Sequence, residues 1–228
     1  MNNSEDKNWN DSRNQRLSII KKEFEEGFKF LKDNHLSVTI FGSSRFKESN
    51  HYYEHARILG RKIVEDLKYS VLTGGGPGIM EAANRGAFEA GGKSLGLTIR
   101  IPTEQKTNQY LTNHLEFYYF FSRKVCLSFA AEAYVFYPGG FGTLDEAFEI
   151  LTLVQTGKIY SVPIILAGRE YWQDFDKIFK ENLVEKFGTI SPEDRNLYTI
   201  TDDHDEMIEI IRKAQVRDGI KCCGEDLV

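Results

Sequence analysis

Residues that staple or interrupt a fold are scarce in this chain: of 228 residues, three are cysteine and five are proline. Cys126, Cys222 and Cys223 are odd in number and lack C-x-x-C spacing, which argues against a disulfide framework or a cysteine zinc site. A reducing cytoplasm is the expected compartment. His35, His51, His55, His114 and His204 show no metal-ligand spacing, so no metal is expected. No apolar run approaches the ~18–20 residues that span a bilayer, so no membrane partner is expected. The polar start, Met1 to Asn14, has no apolar segment of the kind a secretory signal carries. Positive charge is not in excess either. A formal net charge of −5 argues against nucleic acid as a partner.

Two familiar nucleotide signatures are also missing. Gly-x-Gly-x-x-Gly occurs at none of the glycine-rich turns, because Ile79 stands where the third glycine after Gly74 and Gly76 would be. The Gly92-Lys93-Ser94 run lacks the earlier glycine of a P-loop and leads into a strand rather than a helix. Dinucleotide binding and P-loop hydrolysis are demoted accordingly.

What is present is a chain of ordinary apolar content, 41%, and of a length suited to one domain. Residues 1–11 read as a disordered start. From about Asp11 a helix is expected, with Leu17, Ile20, Phe24, Phe28 and Leu31 on one stripe, packing on the main sheet or on a second subunit. Strands are expected at 36–42, 69–73, 94–99, 115–120, 133–137, 163–166 and 198–200. Helices fall between most of them, near 122–131, 143–156, 170–186 and 203–214. That alternation predicts an α/β fold: a doubly wound, mostly parallel, Rossmann-like sheet of about seven strands with helices on both faces. The domain is expected to span 12–215, followed by a tail.

In such a sheet, ligands bind beyond the carboxyl ends of the strands. Three Gly- or Ser-rich turns lie at such ends: 42–45, 74–78 and 138–143. The most informative is Tyr137-Pro-Gly-Gly-Phe-Gly-Thr-Leu-Asp-Glu146. It follows the apolar Ala133-Tyr-Val-Phe136 and precedes Leu144, Phe148, Leu151 and Val154, which recur at helical spacing. A helix N-terminus leaves backbone N–H groups unpaired and carries partial positive charge. Gly139, Gly140 and Gly142 would let an anion's oxygens reach those amides, so a phosphate cradle is expected. Thr143 and Glu146 also fit a helix capping box, in which both side chains would serve the helix end alone.

A second cluster, Ser122-Arg123-Lys124, follows the aromatic run Phe117-Tyr-Tyr-Phe-Phe121. Cations at a helix start oppose its dipole, which suggests that they pair with an anionic ligand. The aromatic run would serve either a subunit contact or burial within the monomer.

Pro138-Gly-Gly-Phe-Gly-Thr-Leu-Asp-Glu146, preceded by Arg123-Lys124 and Gly74-Gly-Gly-Pro-Gly78, resembles the LONELY GUY (LOG) family, long labelled "lysine decarboxylase-like". The resemblance spans roughly Val38 to Gln155 and is supported by Leu153-Val-Gln-Thr-Gly-Lys158. It implies cleavage of the N-glycosidic bond of an adenine-type nucleoside 5′-monophosphate, either AMP or an N6-modified cytokinin riboside monophosphate, to free base and ribose 5-phosphate. It assigns catalysis to Arg123 and Glu146. Gly139, Gly140, Gly142 and Thr143 would hold the phosphate, with Lys124 nearby. Asp145 and Thr152 match substrate-contact positions, Glu104 and Asn108 would line the base side, and Gly42, Ser43 and Gly75 the crevice floor. It implies no cofactor, and a homodimer or larger homo-oligomer. A non-catalytic nucleotide or molybdenum-cofactor carrier is the alternative on the same fold. A pyridoxal-phosphate decarboxylase, suggested only by the old label, would need a Schiff-base lysine.

Overall fold

The structure, a computed structural model, describes residues 3–101, 107–214 and 216. Seven strands form one parallel sheet in the order β4-β3-β2-β1-β5-β6-β7. They are β1 (Ser37–Phe41), β2 (Ser70–Thr73), β3 (Ser94–Ile99), β4 (Asn113–Phe117), β5 (Ala133–Phe136), β6 (Ile164–Leu166) and β7 (Thr199–Ile200). Every pairing between neighbours is parallel. The expected fold is therefore the observed one.

Buried strands alternate their side chains between two cores, as the strand period of two requires. Val38, Ile40, Val71, Val135 and Ile165 face one core. Leu72, Leu95, Tyr134, Phe136 and Leu166 face the other. The first core is covered by α2 (His51–Lys62), α3 (Ile79–Glu89) and α7 (His204–Arg212). The second is covered by α1 (Asn3–Asp33), α4 (Phe120–Ser128), α5 (Phe141–Gln155) and α6 (Arg169–Ile178). The α2–α3 contact is close because both helices place glycines there. A Cβ on Gly60 would stand 2.3 Å from the Ala83 carbonyl oxygen, and one on Gly86 1.9 Å from that of Arg57.

Several element boundaries differ from expectation. Helix α1 begins at Asn3, ahead of Asp11, and takes in residues read as a disordered start. No proline or glycine precedes Gly27, so nothing stops the helix from propagating toward the N-terminus. The expected strand 115–120 ends at Phe117, and α4 starts at Phe120 instead of 122. The aromatic run is divided by that turn: Phe117 is buried, while Tyr118, Phe120 and Phe121 are exposed. Helix α2 runs on through a π-helical turn, Ile63–Leu67, and α6 through another, Phe179–Lys186.

Strand order reverses between β1 and β5. From β1 the chain winds outward to β4, then returns to place β5 on the other side of β1. The crevice at this switch point is opened by the segments leaving β1 at Gly42 and β5 at Tyr137. Phe41 and Phe136, the last residues of the two strands, pair in register and stack with ring centroids 4.9 Å apart.

Candidate active site

A cavity of about 990 Å³ lies over the switch point. The start of α5 forms one wall. Gly140 is the residue that precedes its first turn, and Thr143 is already inside the helix, donating its amide to the Gly140 carbonyl at 3.0 Å. The capping box is therefore not formed: the cap position has no side chain, and Thr143 and Glu146 are both helical. First-turn geometry leaves the amides of Gly140, Phe141 and Gly142 without intrahelical acceptors.

The glycines of this turn serve different ends. At Gly139 a Cβ would lie 2.1 Å from Thr143 Oγ1, so packing excludes a side chain. At Gly140 φ is −92°, which any residue adopts, and a Cβ would meet no atom within 4 Å. Gly142 is equally open. Neither backbone strain nor packing accounts for these two glycines, and bare main chain facing an open cavity is what they supply. Tyr171, on α6, steadies the turn by donating its hydroxyl to the Gly139 carbonyl at 2.8 Å.

The other two turns are engaged with each other. Ser43 donates its amide to Pro138 O and accepts the Ile79 amide on its own carbonyl, both at 3.0 Å. A Cβ on Gly78, where φ is +71°, would come within 2.3 Å of that Ser43 oxygen. The start of α3 is thereby closed by protein and is no second cradle. Gly42, Ser43 and Gly75 line the cavity as expected, but two of them are glycine for reasons of packing. A Cβ on Gly42 would clash with Ile79 at 2.7 Å, and one on Gly75 (φ +72°) with Thr98 at 2.6 Å.

Arg123, on α4, and Glu146, on α5, meet deep in the cavity with Nη2 and Oε1 4.0 Å apart. Side-chain exposure is 15% for Arg123 and 6% for Glu146. Among the described residues, Arg123 Nε and Glu146 Oε2 have no hydrogen-bond partner. Burial pushes the Glu146 carboxyl up to about 7, against the opposing pull of Arg123 and Lys124. Burial also lowers Arg123 from its ordinary value, so desolvation outweighs the attraction at this separation. The Arg123 guanidinium lies 5.4 Å from the Phe120 ring centroid, and Gly74 leaves the space beside Nη1.

Lys124 Nζ sits 2.8 Å from Asp145 Oδ2 and 3.2 Å from Glu149 Oε2. Burial alone would lower the lysine, but these two carboxylates outweigh it and raise it. A Schiff base requires a neutral amine, and Lys124 is held as an ammonium. Among the described residues lining the cavity, Lys124 is the lysine present, and it does not fit the Schiff-base role that pyridoxal phosphate needs.

Not every expected residue is gathered here. Thr152 lies on the exposed side of α5, its hydroxyl donated to the Phe148 carbonyl at 2.7 Å. It stands about two turns along α5 from Asp145 and does not line the cavity. Asn108 is buried beneath the crevice, donating Nδ2 to Gly76 O (3.1 Å) and to Asn84 Oδ1 (3.0 Å) and accepting from the Tyr110 amide. It braces the glycine turn and is not a lining residue. Glu104 falls outside the described residues. Glu149 and Tyr171 were missed. Glu149 stands four residues after Asp145 on α5, and that helical spacing was the available signal. Tyr171 has no local signal.

The buried face of α5 also differs from its apolar stripe. Thr143, Glu146, Ala147 and Ile150 are buried, whereas Phe148 is 42% exposed. Glu146 is thereby turned inward.

A doubly wound parallel sheet, with an open glycine turn and a buried Arg–Glu pair at its switch point, defines a Rossmann-like protein with a candidate site at the carboxyl edge of its sheet. The family described as "Possible lysine decarboxylase" matches residues 80–211, more than half of the chain. This chain belongs to that family, the LOG family. Its relatives include the "Cytokinin riboside 5'-monophosphate phosphoribohydrolase LOG5" of Arabidopsis thaliana, 24% identical over 83% of either chain. The cytokinin riboside 5'-monophosphate phosphoribohydrolase of Rhodococcoides fascians is 26% identical over 77% of this chain and 89% of its own. Among solved structures, the molybdenum cofactor carrier protein of Chlamydomonas reinhardtii has the same fold. Its TM-score is 0.57 at 18% identity, covering 78% of this chain and 97% of its own. Among the described residues no helix is long and apolar enough to cross a membrane.

Proposed function

We propose that this protein is a phosphoribohydrolase, cleaving the N-glycosidic bond of an adenine-type nucleoside 5′-monophosphate to free base and ribose 5-phosphate. The observation that carries the proposal is the Glu146 carboxyl, buried beside Arg123 within the helix that presents open amides. The substrate's phosphate sits on the Gly140–Gly142 main chain, with the Thr143 hydroxyl beside it. Its ribose then lies toward Glu146. As the C1′–N bond breaks, its electron pair leaves with the base, which takes up a proton from solvent, and positive charge builds on the sugar. The carboxylate stabilises that charge and accepts a proton from the water that adds to C1′. A carboxyl titrating near neutrality suits a group that must be ionised to act yet hold a proton afterwards. Arg123 keeps part of the Glu146 population ionised and faces the departing base. Names of family relatives support this substrate class.

On the same reading the protein works in the cytoplasm as a homodimer or larger assembly. Phe120 and Phe141, exposed and lining the cavity, provide an apolar rim suited to a second copy.

The test is a panel of nucleoside 5′-monophosphates, with AMP and N6-alkylated AMP included, offered to wild type and to Glu146→Gln. Turnover is expected to require the 5′-phosphate, and the variant to bind but lose about 10²–10⁴ in rate. Saturable AMP binding by wild type without release of adenine would favour a carrier instead.

A further inference from the structure

Arg123 and Lys124 are the fourth and fifth residues of α4, close to the end where the helix dipole disfavours cations. The residue preceding that helix, Tyr119, provides no side-chain cap. The cap comes from a helix nearly one hundred residues away. Glu23, on α1, is buried. Its Oε1 accepts the amides of Tyr118 and, at 3.3 Å, Tyr119. Its Oε2 lies 2.5 Å from the Ser122 hydroxyl, which donates to it. One carboxylate from outside the sheet therefore satisfies the start of α4 and places a negative charge against the unfavourable end of its dipole.

We infer that Glu23 is a positioning residue, which anchors the first turn of α4 from α1 and so sets where Arg123 stands opposite Glu146. The inference rests on the proposed hydrolysis for its catalytic consequence, though not for the anchoring itself. Two further observations tie α1 to α4. A Cβ on Gly27, one turn beyond Glu23, would strike Cys126 Sγ at 2.4 Å, so the two helices touch through a glycine. Leu31 joins Cys126 and Leu127 in the same core. Among the described residues, the 4.0 Å approach to Glu146 and the Phe120 ring are what hold the Arg123 guanidinium, so its location depends on the backbone beneath it. A misplacement of about 1 Å in such a pair costs up to ~10²-fold in rate.

The full chain is compared as wild type, Glu23→Gln, Glu23→Ala and Leu31→Ala, the last removing α1 packing without touching the cap. Hydrogen exchange is read at the amides of residues 118–124, and kcat and KM with AMP on the same samples. Both Glu23 variants are expected to speed exchange at 118–124 and lower kcat about tenfold or more, with KM changed less than threefold and Gln milder than Ala. Leu31→Ala is expected to lower thermal stability while leaving exchange at the start of α4 and kcat near wild type. Equal losses of kcat in Glu23→Gln and Leu31→Ala would overturn the positioning role, as would unchanged exchange at 118–124 in Glu23→Ala. If wild type releases no base at all, the hydrolase reading fails, and the exchange data decide the anchoring separately.

Discussion

Arg123 Nη2 and Glu146 Oε1 stand 4.0 Å apart, nearly out of solvent, each with a further buried polar atom that no described residue satisfies. A structural ion pair would close to hydrogen-bonding distance and saturate its atoms, because an unsatisfied buried group costs about 1–3 kcal/mol. This pair is held open instead, and it faces the cavity. Unpaired polar groups facing a crevice are what the proposed function uses: a ligand would complete them.

The first prediction concerns stability against pH. The folded-state value for Glu146, about 7, lies above its ordinary 4.5, so the folded protein holds a proton that the unfolded chain has released. Stability therefore falls as pH rises from about 4.5 to about 7, and the penalty is complete above that range. Glu146→Gln should be more stable than wild type at pH 8, on the order of 2 kcal/mol, with no advantage at pH 4. Thermal melts across this range measure it. A difference that stayed constant with pH would contradict the burial of a titrating carboxyl.

Lys124 is one of the two charges that hold Glu146 down. Lys124→Met should therefore move the acid limb of the kcat/KM profile to higher pH. An unmoved limb would mean that Lys124 serves only Asp145 and Glu149.

Neighbouring glycines of the cradle should separate affinity from folding. Gly140→Ala is expected to leave stability within about 0.5 kcal/mol, since neither φ nor space opposes the methyl group. It should nevertheless weaken nucleotide binding tenfold or more, the loss of one charge-assisted hydrogen bond of about 1.5–3 kcal/mol. Gly139→Ala should destabilise the fold, because its Cβ would overlap Thr143 Oγ1. Calorimetric melting and titration with AMP distinguish the two. Full affinity in Gly140→Ala would place the phosphate elsewhere.

Gly86→Ala tests the scaffold away from the site. Its Cβ would fall 1.9 Å from the Arg57 carbonyl oxygen, and main chain cannot yield as a side chain can. A loss of about 3 kcal/mol, or failure to fold, is expected in a denaturant titration. A variant as stable as wild type would mean that α2 and α3 can separate without cost.

Local composition was enough for the sheet. Runs such as Ser37–Phe41 and Ala133–Phe136 are short, β-branched or aromatic in large part and followed by glycine turns, so strands buried between helix layers are written into the chain itself. The open glycine turn was legible for a similar reason, because glycines between a strand and a helix act over a few bonds. Thr143 and Glu146 were ambiguous at that level, since the same spacing suits a cap and a site. Only the start of α5 at Gly140 separated the two. Thr152 and Asn108 carried no mark of their direction, and it is packing that left one outside the cavity and the other beneath the crevice. Glu23 was unreadable from the chain: its partners, Tyr118, Tyr119 and Ser122, are distant in sequence and adjacent only because α1 folds back along α4. Periodicity and turn chemistry are properties of neighbouring residues and survive in one dimension. The electrostatics of a buried carboxyl depend on which distant groups remove water from it, and that exists only once the chain has closed on itself.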